Sequence, residues 1–432
     1  MALVVMGGMC WLAAVAAPIA TVNEAGPDEI SSAGREPVGI EWCHTQQHWD
    51  AKGIEGYRLG PGRCPVMGEC DDPVVRDEHL VQPDTLFKTV RMHIHVFRED
   101  DGSNPAATEC EVLALFDEIN ADYAPWRIRF DCTWGFVDDS RYRYGQNVPR
   151  MKTVYAISPE TTCNVYIIAL GYAFGTFPWD PAALTAQGGI AYEETFIDDY
   201  PHSLSHEMGH CLGLWHTHHG VSEVEECGPC YEEPNRPSDT IGDFCADTPP
   251  TPVNAECGPP GGTDPCSGVP WGPTQPENYM GYSGLSPPCW ELFTASQAAR
   301  MHCWIAAALP TWLTCPVEVD CNENLIPDGC DLNECDGSPW CDDCNDNGVL
   351  DVCDIESGYS ADANDNGIPD ECDCWGDLDD DGEINLSDLA QLLAHYGMAS
   401  GATYYDGDLD LEGDVDLADL AALLAVYGTS CD

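Results

Sequence analysis

Residues 206–216 read His-Glu-Met-Gly-His-Cys-Leu-Gly-Leu-Trp-His, and that segment restricts the fold around it more than any other in the chain. On a helix, positions four apart share a face, so His206 and His210 can aim two imidazoles at one point with Glu207 beside them. Gly213 can adopt a positive φ and turn the chain out of the helix, which lets His216 swing back as a third nitrogen donor. Three neutral nitrogens with one open position make a catalytic zinc arrangement, whereas a structural site is closed by four protein ligands. The chemistry this implies is hydrolysis by metal-activated water, with Glu207 as the base that takes the water's proton and passes it to the leaving amine. A helix with coincidental histidines is the plain alternative. His218 and His219 are expected to be solvated neighbours, because three ligands complete the set.

The surroundings carry the periodicity of an enzyme core. Residues 89–97 (TVRMHIHVF) alternate like a strand, and 109–124 place apolar residues at helical spacing. Residues 127–134 and 164–170 read as further strands and 203–214 as a helix, giving an α/β or α+β arrangement. Residues 21–87 are rich in Gly, Pro and Cys with little periodicity, and read as a prosegment or an irregular N-terminal subdomain.

Export is expected. Residues 1–20 form an uncharged apolar run with a small-residue site at Ala14-Val15-Ala16, which reads as a signal peptide, with a retained anchor as the alternative. Of the 25 cysteines only Cys10 lies in that run, so cleavage leaves an even number, as befits a disulfide-rich protein of an oxidising compartment. Cys211, inside the zinc helix, is expected to be a disulfide partner or a buried thiol. Cys43, Cys64 and Cys70 are either disulfide-bonded or include a thiolate that occupies the open zinc position in a latent precursor.

Charge separates the chain into a body and a tail. The formal net charge is −59, which disfavours nucleic-acid and anionic-membrane partners and favours cations. No Lys or Arg follows Arg300, and 32 of the 75 acidic residues lie from Pro316 onward. These acids recur in templates. Three segments offer side-chain oxygens at positions 1, 3, 5, 9 and 12: Asp320, Asn322, Asn324, Asp328 and Asp331; Asp343, Asn345, Asn347, Asp351 and Asp354; Asp362, Asn364, Asn366, Asp370 and Asp373. Alternate-residue oxygens wrapping one centre is how a loop binds Ca²⁺. The pattern resembles the calcium-binding repeats of thrombospondins. Two further loops, 31 residues apart, offer Asp377, Asp379, Asp381, Asn385 and Asp388, then Asp408, Asp410, Glu412, Asp416 and Asp419, each running into an apolar helix. This doubled unit resembles a dockerin, whose partners are cohesin domains.

The extended histidine signature resembles the metzincin metallopeptidases, with Glu277-Asn278-Tyr279-Met280-Gly281-Tyr282 similar to their methionine-containing turn. Gly242-Asp243-Phe244-Cys245-Ala246-Asp247-Thr248-Pro249, residues 293–303, and Gly171-Tyr172-Ala173 with Phe177-Pro178 narrow the resemblance to the pappalysin family over about 89–312. It implies a two-lobed α+β metzincin domain, zinc on His206, His210 and His216, Glu207 as base, and Met280 as the floor beneath the metal. It also implies that Tyr282 can donate to the oxyanion, a buried structural tyrosine being the alternative, and that Asp243 and Asp247 with the Thr248 backbone hold calcium. The organisation expected is a signal peptide (1–20), an N-terminal segment or prosegment (21–87), a metzincin catalytic domain (88–315), calcium-binding repeats (316–374) and a small all-α dockerin-like module (375–432). The function expected is a secreted zinc endopeptidase acting on protein or peptide substrates, with a cohesin-like partner for its calcium-dependent C-terminal region and no stable membrane span. The competing expectation is a calcium-stabilised extracellular adhesion or scaffold protein with an inactive metzincin-like domain.

Overall fold

The computed structural model describes residues 43–51, 64–283, 289–315, 319–322, 324–334, 343–345, 347–362, 367–369, 372–379 and 381–430. The signal peptide, residues 21–42 and the calcium candidates Asn364, Asn366 and Asp370 lie outside the described residues. Contacts divide the chain into two units, Met1–Val81 with Thr89–Leu313, and Gln82–Lys88 with Thr314–Asp432.

The first unit is built on a sheet of β1 (Lys88–Arg98), β2 (Ile128–Asp138), β3 (Cys163–Ile168) and β4 (Ile190–Glu193), in the order β2-β1-β3-β4. β3 is parallel to both β1 and β4. Side-chain contacts at a constant offset of 40 residues, Thr89 to Arg129 and His93 to Thr133, run along β1 and β2 in the same direction. Parallel strands need crossovers, and the helices supply them. In chain order the helices are α1 (Thr45–Ala51), α2 (Pro73–Asp77), α3 (Glu109–Tyr123), α4 (Val148–Tyr155), α5 (Phe196–Asp199), α6 (Ser203–Cys211), α7 (His219–Ser222) and α8 (Ala295–Ala308). The mixture of strands and helices expected from the sequence is thus a mixed α/β unit around a parallel sheet.

Local chemistry explains the long helices. α3 starts in a capping box, with Glu111 N–H donating to the Thr108 hydroxyl and Thr108 N–H to the Glu111 carboxylate. α8 repeats the device with Thr294 and Gln297. Two orphan donors are satisfied each time, worth about 1 kcal/mol per cap. β3 is buried on both faces, as a central parallel strand must be. Val165 and Ile167 from β3, Ile94 from β1, Ile119 from α3 and Met208 from α6 meet in one core cluster. That shared core sets α6 against the sheet.

Beyond β4, Phe174 and Ala191 exchange both backbone hydrogen bonds at 3.0 Å, so residues 173–174 form an antiparallel rim. Cys43 bridges to Ala173 in parallel fashion, and His44 N–H donates to Ala173 O at 2.8 Å. Segment 64–81 is fastened differently. Cys64 is disulfide-bonded to Cys230 and Cys70 to Cys303, and Asp71 makes a fully buried 2.6 Å ion pair with Arg300.

The second unit contains α9 (Asp328–Glu334), α10 (Asp351–Ser357), α11 (Leu386–His395) and α12 (Leu417–Val426). Its turns are tied by disulfides Cys315–Cys330, Cys321–Cys353 and Cys344–Cys372. A small core pairs residues one repeat apart: Leu378 with Leu409, Ile384 with Val415, Leu392 with Leu423. Asp388 and Asp419 are fully buried and occupy equivalent places, each accepting two backbone N–H groups at 2.7–2.8 Å. Gly382 and Gly413 take φ of 82° and 89° at the loop turns. Among the described residues no helix is long and apolar enough to cross a membrane.

Candidate metal centre

α6 is entirely buried and brings His206, Glu207 and His210 to one face. The chain leaves the helix at Gly213, whose φ is 98°. A Cβ there would lie 2.2 Å from Trp304 Cδ1, so the turn requires glycine. His216 returns to the helix, and the Nε2 atoms of His206 and His216 stand 3.2 and 3.1 Å from that of His210. Ligand nitrogens about 2.0–2.1 Å from one tetrahedral zinc would stand roughly 3.3 Å apart.

The opposite ring nitrogens fix the tautomers. Nδ1 of His206 donates to Tyr279 O at 2.6 Å, that of His210 to Leu214 O at 2.8 Å, and that of His216 to Glu223 Oε1 at 2.6 Å. Each Nε2 therefore presents a lone pair, and three lone pairs converge on one point. Burial pushes the titration of His206 and His210 far down, so protonation does not relieve the crowding. A cation does. The donor set fits zinc.

A fourth atom faces the same point. Cys43 Sγ lies 3.4 Å from His210 Nε2, and it shares a cluster with the three histidines in which all ligand atoms fall within 4.8 Å of one another. Burial, and next the charge of Glu207, push the Cys43 thiol well up, so a thiolate there depends on a cation. Cys64 and Cys70 are held in disulfides, which leaves Cys43 as the thiol at the centre. Thr45, two residues on, donates to Glu207 Oε2 at 3.0 Å and accepts from Gly175 N at 2.9 Å. Glu207 Oε1 is buried with no hydrogen-bond partner among the described residues, and burial pushes the Glu207 carboxyl up to about 8.

Met280 lies beneath α6 with no exposure, and a Cβ on Gly209 would sit 2.5 Å from its Sδ. The Tyr282 ring centroid is 4.8 Å from that of His216, and its hydroxyl donates to Cys43 O at 3.1 Å. His218 is not solvated, and His219 is only partly exposed. His218 is 2% exposed, and both rings turn to Glu223, whose Oε2 accepts from His219 Nδ1 at 2.9 Å. Their neighbours Trp215 and Tyr282 fold them inward. Cys211 is a buried free thiol that accepts from Thr176 N.

Asp247 caps α8 through Thr294 and Ser296, while Asp243 accepts from Cys245 N and the Thr248 hydroxyl. Asp243 faces Glu232 in the interior. Burial, then mutual repulsion, lifts Glu232 to about 9, and burial lifts Asp243 to about 7. In the second unit Asp320, Asp343 and Asp362 each accept from backbone N–H groups within their own loops, as do Asp377 and Asp408. Asn322 and Asn324 both donate to Asp331, and Asn345 and Asn347 to Asp354. Cys321 and Cys344 N–H donate to Asp328 and Asp351. Asp408 Oδ1 is buried with no hydrogen-bond partner among the described residues.

Sequence reasoning passed over Glu223, Thr45, Glu232 and Asp122. Asp122 carried a signal, since it continues the inward stripe Leu115, Ile119 along α3. Its carboxylate accepts from Ser205 Oγ at 2.5 Å, Tyr279 OH at 2.9 Å and His202 Nδ1 at 2.8 Å. Glu223 and Thr45 carried none, because their positions follow no period relative to the ligands.

Residues 177–306 match the sequence profile of the peptidase M43 family, described as pregnancy-associated plasma protein-A. Human (Homo sapiens) pappalysin-1 is 35% identical over 185 residues, which cover 41% of this chain and 11% of pappalysin-1. An extracellular metalloprotease of Colletotrichum graminicola is 28% identical over 247 residues, covering 51% of this chain and 77% of that protein. The chain thus spans about a tenth of the length of pappalysin-1. Mature mirolysin of Tannerella forsythia, solved with a cleaved peptide, aligns at a TM-score of 0.39 and 17% identity over 52% of this chain and 97% of that one.

Proposed function

We infer that this chain, whose residues 177–306 are of the pappalysin metalloprotease type, is a secreted zinc endopeptidase held latent by Cys43. The observation that carries the reading is the convergence of three Nε2 lone pairs beside a buried glutamate with one orphan oxygen. His206, His210 and His216 would hold the zinc. Once bound, the ion supplies Lewis-acid polarisation of the scissile carbonyl and of the attacking water. Glu207 takes the water's proton through its unpartnered Oε1 and delivers it to the leaving amine. The Tyr282 hydroxyl, released from Cys43 O, donates to the oxyanion as charge develops there. Met280 supports the floor.

Latency follows from the same contacts. The segment bearing Cys43 fills the fourth position, engages Glu207 through Thr45 and occupies the Tyr282 hydroxyl. Its removal would leave segment 64–81 attached by two disulfides, which limits the dispensable part to residues before Cys64.

The C-terminal unit is read as a calcium-dependent docking region of thrombospondin-like repeats and a dockerin-like module. Support comes from the twofold repetition of the Asp388 and Asp419 geometry and from the orphan Asp408 oxygen, which a cation would satisfy. Leu386 and Leu417 are each 67% exposed at equivalent places on α11 and α12, an apolar surface suited to a cohesin-like partner.

The test is a Glu207→Gln variant of the full chain assayed on casein beside the parent, both after removal of the N-terminal segment. A loss of at least about 100-fold with zinc retained is expected for a general base. Equal cleavage by the two would exclude the proteolytic assignment.

A further inference from the structure

The third ligand is the one the zinc helix does not hold. His206 and His210 lie on α6 and donate through Nδ1 to backbone carbonyls, Tyr279 O and Leu214 O, which the fold fixes in place. His216 follows the Gly213 turn, outside the helix, and its Nδ1 donates to a side chain, Glu223 Oε1 at 2.6 Å. That carboxylate is itself caged. His219 Nδ1 donates to Oε2 at 2.9 Å, His218 Nε2 lies 3.4 Å from Oε1, and Glu223 N–H donates to His219 O at 3.2 Å across the single turn of α7. His218 also stacks on the His216 ring, centroids 4.6 Å apart and 10° from parallel.

We propose that Glu223 is the positioning residue of the zinc site: its carboxylate, held by His218 and His219, fixes the His216 imidazole as third ligand and strengthens it as a donor. A carbonyl acceptor only orients an imidazole, whereas an anionic acceptor also raises the basicity of the far nitrogen. The position that lacks helical support receives the stronger partner. His218 and His219 thereby have a role without touching the metal. They aim Glu223, and the His218 ring meets Tyr282 edge-on at 4.6 Å, so the same carboxylate sets the surface against which Tyr282 rests.

The inference rests on the zinc reading of the site, and its test separates the two. Full-length parent, Glu223→Gln and Glu223→Ala are titrated against a graded zinc chelator, and the visible spectrum of the Co²⁺-substituted forms is recorded. Glu223→Ala is expected to weaken zinc about 10–100-fold, Glu223→Gln by a smaller factor of at least threefold, and both to shift the Co²⁺ bands. Should Glu223→Ala fail to fold, the near-isosteric Glu223→Gln decides the matter alone. Zinc affinity within twofold of the parent, with superimposable Co²⁺ spectra, overturns the role of Glu223 whatever happens to stability. A parent chain that takes up no zinc overturns the zinc reading instead.

Discussion

Cys43 Sγ and His210 Nε2 are 3.4 Å apart although 167 residues separate them in sequence. Residues 43–45 therefore cross the candidate metal centre. The Cys43 backbone, hydrogen-bonded by Tyr282, and Thr45, bonded to Glu207, make the crossing a three-point contact.

A Cys43→Ser variant of the unprocessed chain is therefore expected to cleave casein roughly tenfold or more faster than the unprocessed parent, because the competent state is no longer masked. An organomercurial should activate the parent and leave the variant unchanged. A gain under twofold would mean that the segment blocks by bulk and not through sulfur.

Asp122 links the start of α6 to the turn that orients His206, through Ser205 and Tyr279. Its truncation in Asp122→Ala leaves buried donors without an acceptor, at a cost of about 3 kcal/mol in global stability. Guanidinium unfolding of non-reduced protein measures this. A loss below about 0.5 kcal/mol would place the strength of the junction in packing alone.

Glu232 and Asp243 bind protons more tightly folded than unfolded, with folded values near 9 and 7. For an acid shifted upward, the stabilising difference is intact below the unfolded pKa and is lost as pH rises through the folded one. In chelator, the thermal midpoint is expected to fall steadily from about pH 5 to pH 9. Millimolar Ca²⁺ should flatten the slope if the two carboxylates accept a cation, and Glu232→Gln should flatten it without calcium. A midpoint that rises over that range would contradict the burial of this pair.

Asp388 and Asp419 close the two equivalent loops of the C-terminal unit. Replacing Asp419 by Ala is expected to lower calcium uptake of the full chain by one ion and to raise amide exchange in 408–426 while 377–395 changes less. Equal uptake and exchange in variant and parent would assign these buried acids to hydrogen bonding of the loop alone.

How far the sequence reached can be read from particular residues. The strand at 89–97 and the helix at 109–124 announced themselves through apolar spacing, and the structure has them at 88–98 and 109–123. His218 misled, because exposure belongs to tertiary packing and Tyr282 covers its ring, while His219 stacks on Trp215 and keeps only partial exposure. Cys64 and Cys70 were equal in sequence to Cys43 as candidates for the metal. Their disulfide partners, Cys230 and Cys303, are more than 160 residues away, and no local pattern encodes such pairing.

The sequence by itself determined which atoms could chelate, since helical geometry makes the four-residue spacing of His206 and His210 a shared face and Gly213 a permitted turn. It also set the spacing of the acidic and amide side chains in the C-terminal loops, where alternate oxygens follow from chain geometry within a dozen residues. Tertiary structure decided which groups act on that centre from outside: Cys43 over the metal position, Glu223 behind His216, Asp122 behind Tyr279. The first and third are contacts between segments more than 150 residues apart, and the second spans seven residues across the turn that leaves α6; none follows a helical or strand period, so short-range periodicity carries no record of them.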